Sequence, residues 1–140
     1  MITLAKELED EIRRHGEKTY PEECCGVILG KAEGRGQKTI ARLIPIDNAK
    51  NMEEKHNRFL ITPDDVMQAE LTARAYEQDV IGFYHSHPDH PAEPSAFDLD
   101  HALPFYSYII VSIEKGKAKK LTSWEMENDR SRFNPELIIQ

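Results

Sequence analysis

The sequence predicts an α/β (α+β) domain built on one mixed β-sheet flanked by helices. Three observations carry that expectation. Apolar residues at helical spacing open the chain, several short β-branched runs follow, and a second well-capped helix separates two of those runs. The 140 residues suit one domain over positions 1–140, and a hydrophobic content of 39% is adequate for one core. We expect no internal repeat and no linker.

Leu4, Leu8 and Ile12 fall four apart and share one face of an opening helix, with Lys6, Glu7, Glu9, Asp10, Arg13 and Arg14 on the wet side. Gly16 is expected to weaken its end and Pro21 to close it. Cys24 to Leu29 and Thr39 to Ile46 read as two strands of a hairpin, joined by a turn over Lys31–Gly36. Asp47 to Asn57 reads as a surface loop and Arg58 to Ile61 as a third short strand. Thr62-Pro63-Asp64-Asp65 starts a helix, with a hydroxyl N-cap, Pro at the first helical position and acids in the first turn; it is expected to run to about Gln78. Val80 to Tyr84 is a buried strand. Ser95 opens another short helix that Pro104 ends. Tyr106 to Ile113 pairs with Ala118 to Met126, and Leu137-Ile138-Ile139 is available as an edge strand.

Composition excludes several function classes. With 18 Lys+Arg against 25 Asp+Glu the formal net charge is −7, which opposes nonspecific nucleic-acid binding because that depends on neutralising phosphates. No apolar run approaches the roughly 20 residues of a membrane helix, and the opening Met1–Glu7 lacks the pattern of a secretion signal. Two adjacent cysteines cannot form a disulfide framework. The expected location is cytoplasmic, with no nucleic-acid and no membrane partner.

The chemistry is concentrated between Tyr84 and Asp98. His85 and His87 stand two apart at the end of an apolar strand, so strand geometry puts both rings on one side of the sheet with Ser86 on the other. Two imidazoles placed so can converge on one ion at about 2.0–2.1 Å each. Asp98, one turn into the next helix, supplies a carboxylate as third ligand, and Ser95-x-x-Asp98 is also an ordinary capping pattern. Two His and one carboxylate leave a position for water, the mark of a catalytic Zn²⁺ site, where the pKa of water falls toward ~7. The same donors describe an iron(II) facial triad. Hydrolysis needs a base outside the ligand set, and Glu22 and Glu23 lie just before the first hairpin strand.

Taken together, His85-x-His87-(seven residues)-Ser95-x-x-Asp98, preceded by Pro21-x-Glu23-x-Cys25-Gly26, resembles the signature of the JAMM (MPN+) metalloprotease family, in its small single-domain prokaryotic branch. The Phe59-x-Ile61 run and the Gly82-x-Tyr84-His85 approach follow in the family's order. The resemblance implies a cytidine-deaminase-like MPN/JAMM fold, with His85, His87 and Asp98 as zinc ligands. It also implies Glu23 as general base and proton shuttle, and Ser95 as the residue that hydrogen-bonds the tetrahedral intermediate; Glu22 is one position out of frame. It further implies hydrolysis of an amide after the C-terminal tail of a ubiquitin-like or sulfur-carrier protein ending in Gly-Gly. The loop from Asp47 to Asn57 is short where larger members carry a substrate-gripping insertion. An extended tail could reach the metal by pairing with a sheet edge. The rival functions are a non-catalytic MPN-type binding scaffold and the iron enzyme.

Cys24 and Cys25 are read as structural, one on each side of a strand, against the rival that Cys25 is a fourth ligand closing the site. His90 and His101 are either spare ligands or substrate contacts, with a helix-surface position the blander account of His101. His15 and His56 are read as surface residues and Trp124 as core or rim. The oligomeric state is left open.

Overall fold

The computed structural model describes residues 1–47 and 61–140. Its elements are β1 (Ile2–Thr3), α1 (Lys6–Thr19), β2 (Cys25–Glu33), β3 (Gln37–Ile46), α2 (Pro63–Ala75), β4 (Asp79–Pro88), α3 (Ala96–His101), β5 (Ser107–Glu114), β6 (Lys117–Met126), β7 (Phe133–Glu136) and β8 (Ile138–Ile139). Among the described residues eight strands form one mixed sheet in the order β7-β6-β5-β4-β2-β3-β1-β8. Its two outermost strands, β7 and β8, are separated in the chain by Leu137 alone, so the two ends of the sheet meet. Among the described residues no helix is long and apolar enough to cross a membrane.

Strand alternation sorts the two faces. Cys24, Ile28, Tyr84, Ile109, Val111 and Ile113 pack with Ile12 of α1 into the larger core. Val27 and Leu29 point the other way, onto Ala69 and Ala73 of α2. The small residues on α2 let it approach the sheet closely. At its start Thr62 accepts from Asp65 N–H at 3.1 Å, and the Asp65 side chain accepts from Thr62 N–H at 3.0 Å, a complete capping box.

Several boundaries differ from expectation. Helix α1 runs straight through Gly16 to Thr19. Gly16 is buried, and a Cβ there would meet Ile113 Cδ1 at 2.6 Å, so the missing side chain lets the helix seat on β5 rather than ending it. Strand β2 extends to Glu33, with Gly34, Arg35 and Gly36 making the turn; Arg35 and Gly36 have φ of 69° and 71°. Helix α2 ends at Ala75, before the expected Gln78. β1 and β7 were not expected: two- and four-residue strands carry too little periodicity to stand out. β8 occupies the expected edge run at Ile138–Ile139, paired parallel with β1. The expected strand at Arg58–Ile61, most of the loop from Asp47 to Asn57, and His56 lie outside the described residues; Ile61 itself is not in a strand.

Candidate metal centre and its cleft

β4 lies between β2 and β5, antiparallel to the first and parallel to the second. The strand that carries His85 and His87 is thus an interior strand of the sheet. His85 and His87 point to the α2 side, as their two-residue spacing requires, and Ser86 points to the α1 side. All three are buried. Cys25 pairs with His85 in register. Cys24 N–H donates to Ser86 Oγ at 2.8 Å and Ser86 N–H donates to the Cys24 carbonyl at 3.1 Å, which carries the antiparallel alignment one residue further, toward Glu23 and His87. Glu23 is thereby placed across from His87 and is buried, at 3% exposure, whereas Glu22 is only half-buried.

The donor atoms converge. His85 Nε2 and His87 Nε2 are 3.1 Å apart, and each is 3.2 Å from one oxygen of Asp98. Glu23, His85 and His87 each offer a donor atom within 4.8 Å of the others. Ligands at about 2.0–2.1 Å from a tetrahedral ion stand roughly 3.3–3.4 Å from one another, close to the separations seen here. The donor set is thus sized for a single metal ion.

Second partners orient each donor. His87 Nδ1 is 2.8 Å from the Pro91 carbonyl. A carbonyl only accepts, so the Nδ1 proton is fixed there, and Nε2 faces Asp98, bonding it when the ring is protonated and offering a lone pair when it is neutral. Asp98 Oδ2 accepts from Ser95 N–H at 2.8 Å while Asp98 N–H donates to Ser95 Oγ at 3.1 Å. The Ser-x-x-Asp spacing is therefore a capping box, and the box also aims the carboxylate at the histidines. The loop from Asp89 to Glu93 is fastened to the sheet by Asp89 N–H to the Ile113 carbonyl, Ser112 O–H to the His90 carbonyl and Thr122 O–H to the Ala92 carbonyl.

Charge follows the geometry. Burial holds His85 below its ordinary pKa, against the pull of Asp98. Burial also opposes charge on His87, but its bonds to Asp98 and the Pro91 carbonyl prevail and raise its pKa. Asp98 is held well below the usual carboxylate range, because the two histidines outweigh the penalty of burial. The result is a carboxylate whose charged form is favoured between two imidazoles, an arrangement that suits a cation.

Two spaces flank the cluster. A cleft of about 370 Å³ is lined by Glu23, His87, Pro88, His90, Glu93 and Ser95. On the other side a pocket of about 210 Å³ reaches His85 and Asp98 between Phe83, Phe97, Tyr108 and Ile110. Glu23 and Ser95 share the first space with His87, so the five residues singled out in the sequence meet at one centre.

The remaining candidates sort clearly. Cys24 is in the larger core, and burial pushes its thiol up to about 11. Burial raises Cys25 as well, and its Sγ donates to the Ile46 carbonyl at 3.6 Å. A thiol so placed keeps its proton, in keeping with the structural reading. His90 is exposed on the cleft wall. His101 is exposed, stacks on Phe97 at 4.1 Å and donates to its own helix at the Phe97 carbonyl. Trp124 is half-buried and donates to Thr122. His15 is a correction: it is half-buried, with Nδ1 2.8 Å from the Tyr84 hydroxyl. Its spacing from Leu8 and Ile12 puts it on the inner face, a signal available in the sequence.

Residues 5–127 match the family described as prokaryotic homologs of the JAB domain. The chain belongs to that family. This JAB-domain protein is 41% identical to a protein from Salinibacter ruber known from a solution structure, covering 100% of this chain and 91% of that one with a TM-score of 0.77. It is 29% identical to a desampylase from Haloferax volcanii over 94% of this chain and 91% of the relative. A JAB1/MPN domain protein from Archaeoglobus fulgidus shares the fold at a TM-score of 0.56 and 17% identity, covering 99% and 95% of the two chains. The mixed sheet with flanking helices is thus the JAB/MPN arrangement that the sequence motifs implied.

Proposed function

We propose that this JAB-domain protein is a zinc-dependent isopeptidase that cleaves an amide bond after the tail of a ubiquitin-like or sulfur-carrier protein ending in Gly-Gly, in the cytoplasm. The observation that carries the reading is the convergence of His85, His87 and Asp98 within 3.1–3.2 Å of one another, with Glu23 buried across from His87. The relative named desampylase supports an enzyme acting on a ubiquitin-like protein.

In this reading His85, His87 and Asp98 hold the ion. Zinc bound there supplies a Lewis acid and lowers the pKa of water. Glu23 takes a proton from the attacking water and returns it to the leaving amine. Ser95 Oγ, which accepts from Asp98 N–H, keeps its own proton free to donate to the developing oxyanion. Pro91 keeps His87 in the tautomer that ligation needs. An iron(II) centre with the same three donors would leave Glu23 and Ser95 without a chemical role.

The test incubates zinc-loaded protein with fusions to sulfur-carrier tails and compares wild type with Glu23→Gln by intact mass. Wild type is expected to release the tail. The variant is expected to lose activity by about 10²–10⁴-fold with its zinc content unchanged. Near-wild-type turnover by the variant overturns the assignment of the base. Wild type that binds zinc and cleaves nothing favours the scaffold reading, and oxoacid-dependent oxygen uptake by iron-loaded protein favours the iron enzyme.

A further inference from the structure

Asp89 follows His87 by two residues, and Tyr20 precedes Glu23 by three. The Tyr20 hydroxyl donates to Asp89 Oδ2 at 2.6 Å, and Lys115 N–H donates to Asp89 Oδ1 at 2.8 Å. One carboxylate thus ties together the end of α1, the end of β4 and the β5–β6 turn. Asp89 adopts φ of 56° to do so, a left-handed conformation that Asp tolerates better than most residues. The Tyr20 ring lies over the same turn, where a Cβ on Gly116 would be 3.8 Å from Tyr20 Cδ1. None of these groups belongs to the centre described above.

Glu23 lies between two ties from β4 and the loop beyond it. On its C-terminal side Ser86 Oγ holds the Cys24 amide. On its N-terminal side the described backbone bonds of the segment are local, such as Glu22 N–H to the Thr19 carbonyl. The Tyr20–Asp89 bond is a cross-link there to the segment that follows the histidine strand. We infer that Tyr20 and Asp89 are positioning residues: their hydrogen bond sets where Glu23 stands relative to His87. The inference rests on the proposed role of Glu23 as base. It does not require either residue to touch substrate.

A base displaced by a fraction of an ångström to an ångström loses rate without losing binding. Tyr20→Phe is therefore expected to lower kcat by about 10- to 100-fold with KM changed by less than about two-fold. Because the effect runs through Glu23, Tyr20→Phe added to Glu23→Gln is expected to cost nothing further. Asp89→Asn can keep both contacts, with its amide donating to the Tyr20 oxygen, and is expected to retain most activity. Asp89→Ala is expected to reproduce Tyr20→Phe. A second readout needs no turnover: in metal-free protein, Tyr20→Phe is expected to speed exchange of the Cys24 amide by about ten-fold or more as the segment loosens. The inference is overturned if Tyr20→Phe leaves both kcat and Cys24 exchange at wild-type values, or if it lowers the residual rate of Glu23→Gln by its own full factor. A wild type without activity sinks the proposed function instead, and the exchange comparison then decides the positioning claim by itself.

Discussion

Ser95 and Asp98 each accept the other's backbone N–H, at 3.1 and 2.8 Å, so one pair of side chains both starts α3 and aims a carboxylate at two histidines. Removing the hydroxyl should therefore have two separable effects. Ser95→Ala is expected to destabilise the fold by about 0.5–2 kcal/mol through the lost cap. It is also expected to lower kcat by roughly 10²–10³-fold if the hydroxyl donates to the oxyanion. Ser95→Asn restores the cap without a hydroxyl at the same place. Denaturant melts and steady-state kinetics on both variants separate the effects; recovery of kcat with the cap alone would reduce Ser95 to a structural residue.

Metal removal should be legible in stability. Ligand that binds only the folded state adds about 2.7 kcal/mol at a hundred times its Kd. Chelated protein is expected to unfold at lower denaturant than zinc-loaded protein, and Asp98→Asn is expected to erase most of the difference. Equal midpoints with and without zinc would argue against a site built from these donors.

Acid should weaken the fold in part through His15. Burial is the main cause of its lowered pKa, with Lys18 adding to it and Asp47 opposing. A histidine whose folded pKa is depressed contributes its full stability above the unfolded value of about 6.5. That contribution is lost as pH falls from there through the folded value, because the unfolded chain takes up the proton more readily. His15→Gln can keep a bond to the Tyr84 hydroxyl without titrating. Urea unfolding between pH 7.5 and 5 is expected to show a shallower acid loss in the variant; parallel curves would place the acid sensitivity elsewhere.

The sequence made the cluster of His85, His87 and Asp98 visible because both of its halves follow local rules. Two-residue spacing puts His85 and His87 on one face, and three-residue spacing makes Ser95 and Asp98 a cap. Bringing Glu23 to them needed only the register of a short antiparallel pair. What local rules could not show depends on partners distant in the chain. Gly16 looks like a helix breaker until Ile113 is seen against it. Ile2–Thr3 becomes a strand only because Lys38–Thr39 and Ile138–Ile139 lie on either side. Tyr20 and Asp89 are separated by 69 positions, and neither residue type announces its bond to the other.

The union of the sheet's first and last strands by a stretch of only seven residues has a consequence for how the molecule meets its neighbours. An open sheet offers rows of unsatisfied amides and carbonyls on which another copy can template. Here Phe133–Glu136 covers one such row and Ile138–Ile139 the other. Cutting the chain after Arg132 would bare Ser123–Met126 on one side and Ile2–Thr3 on the other at once, lengthening the adhesive margin at both.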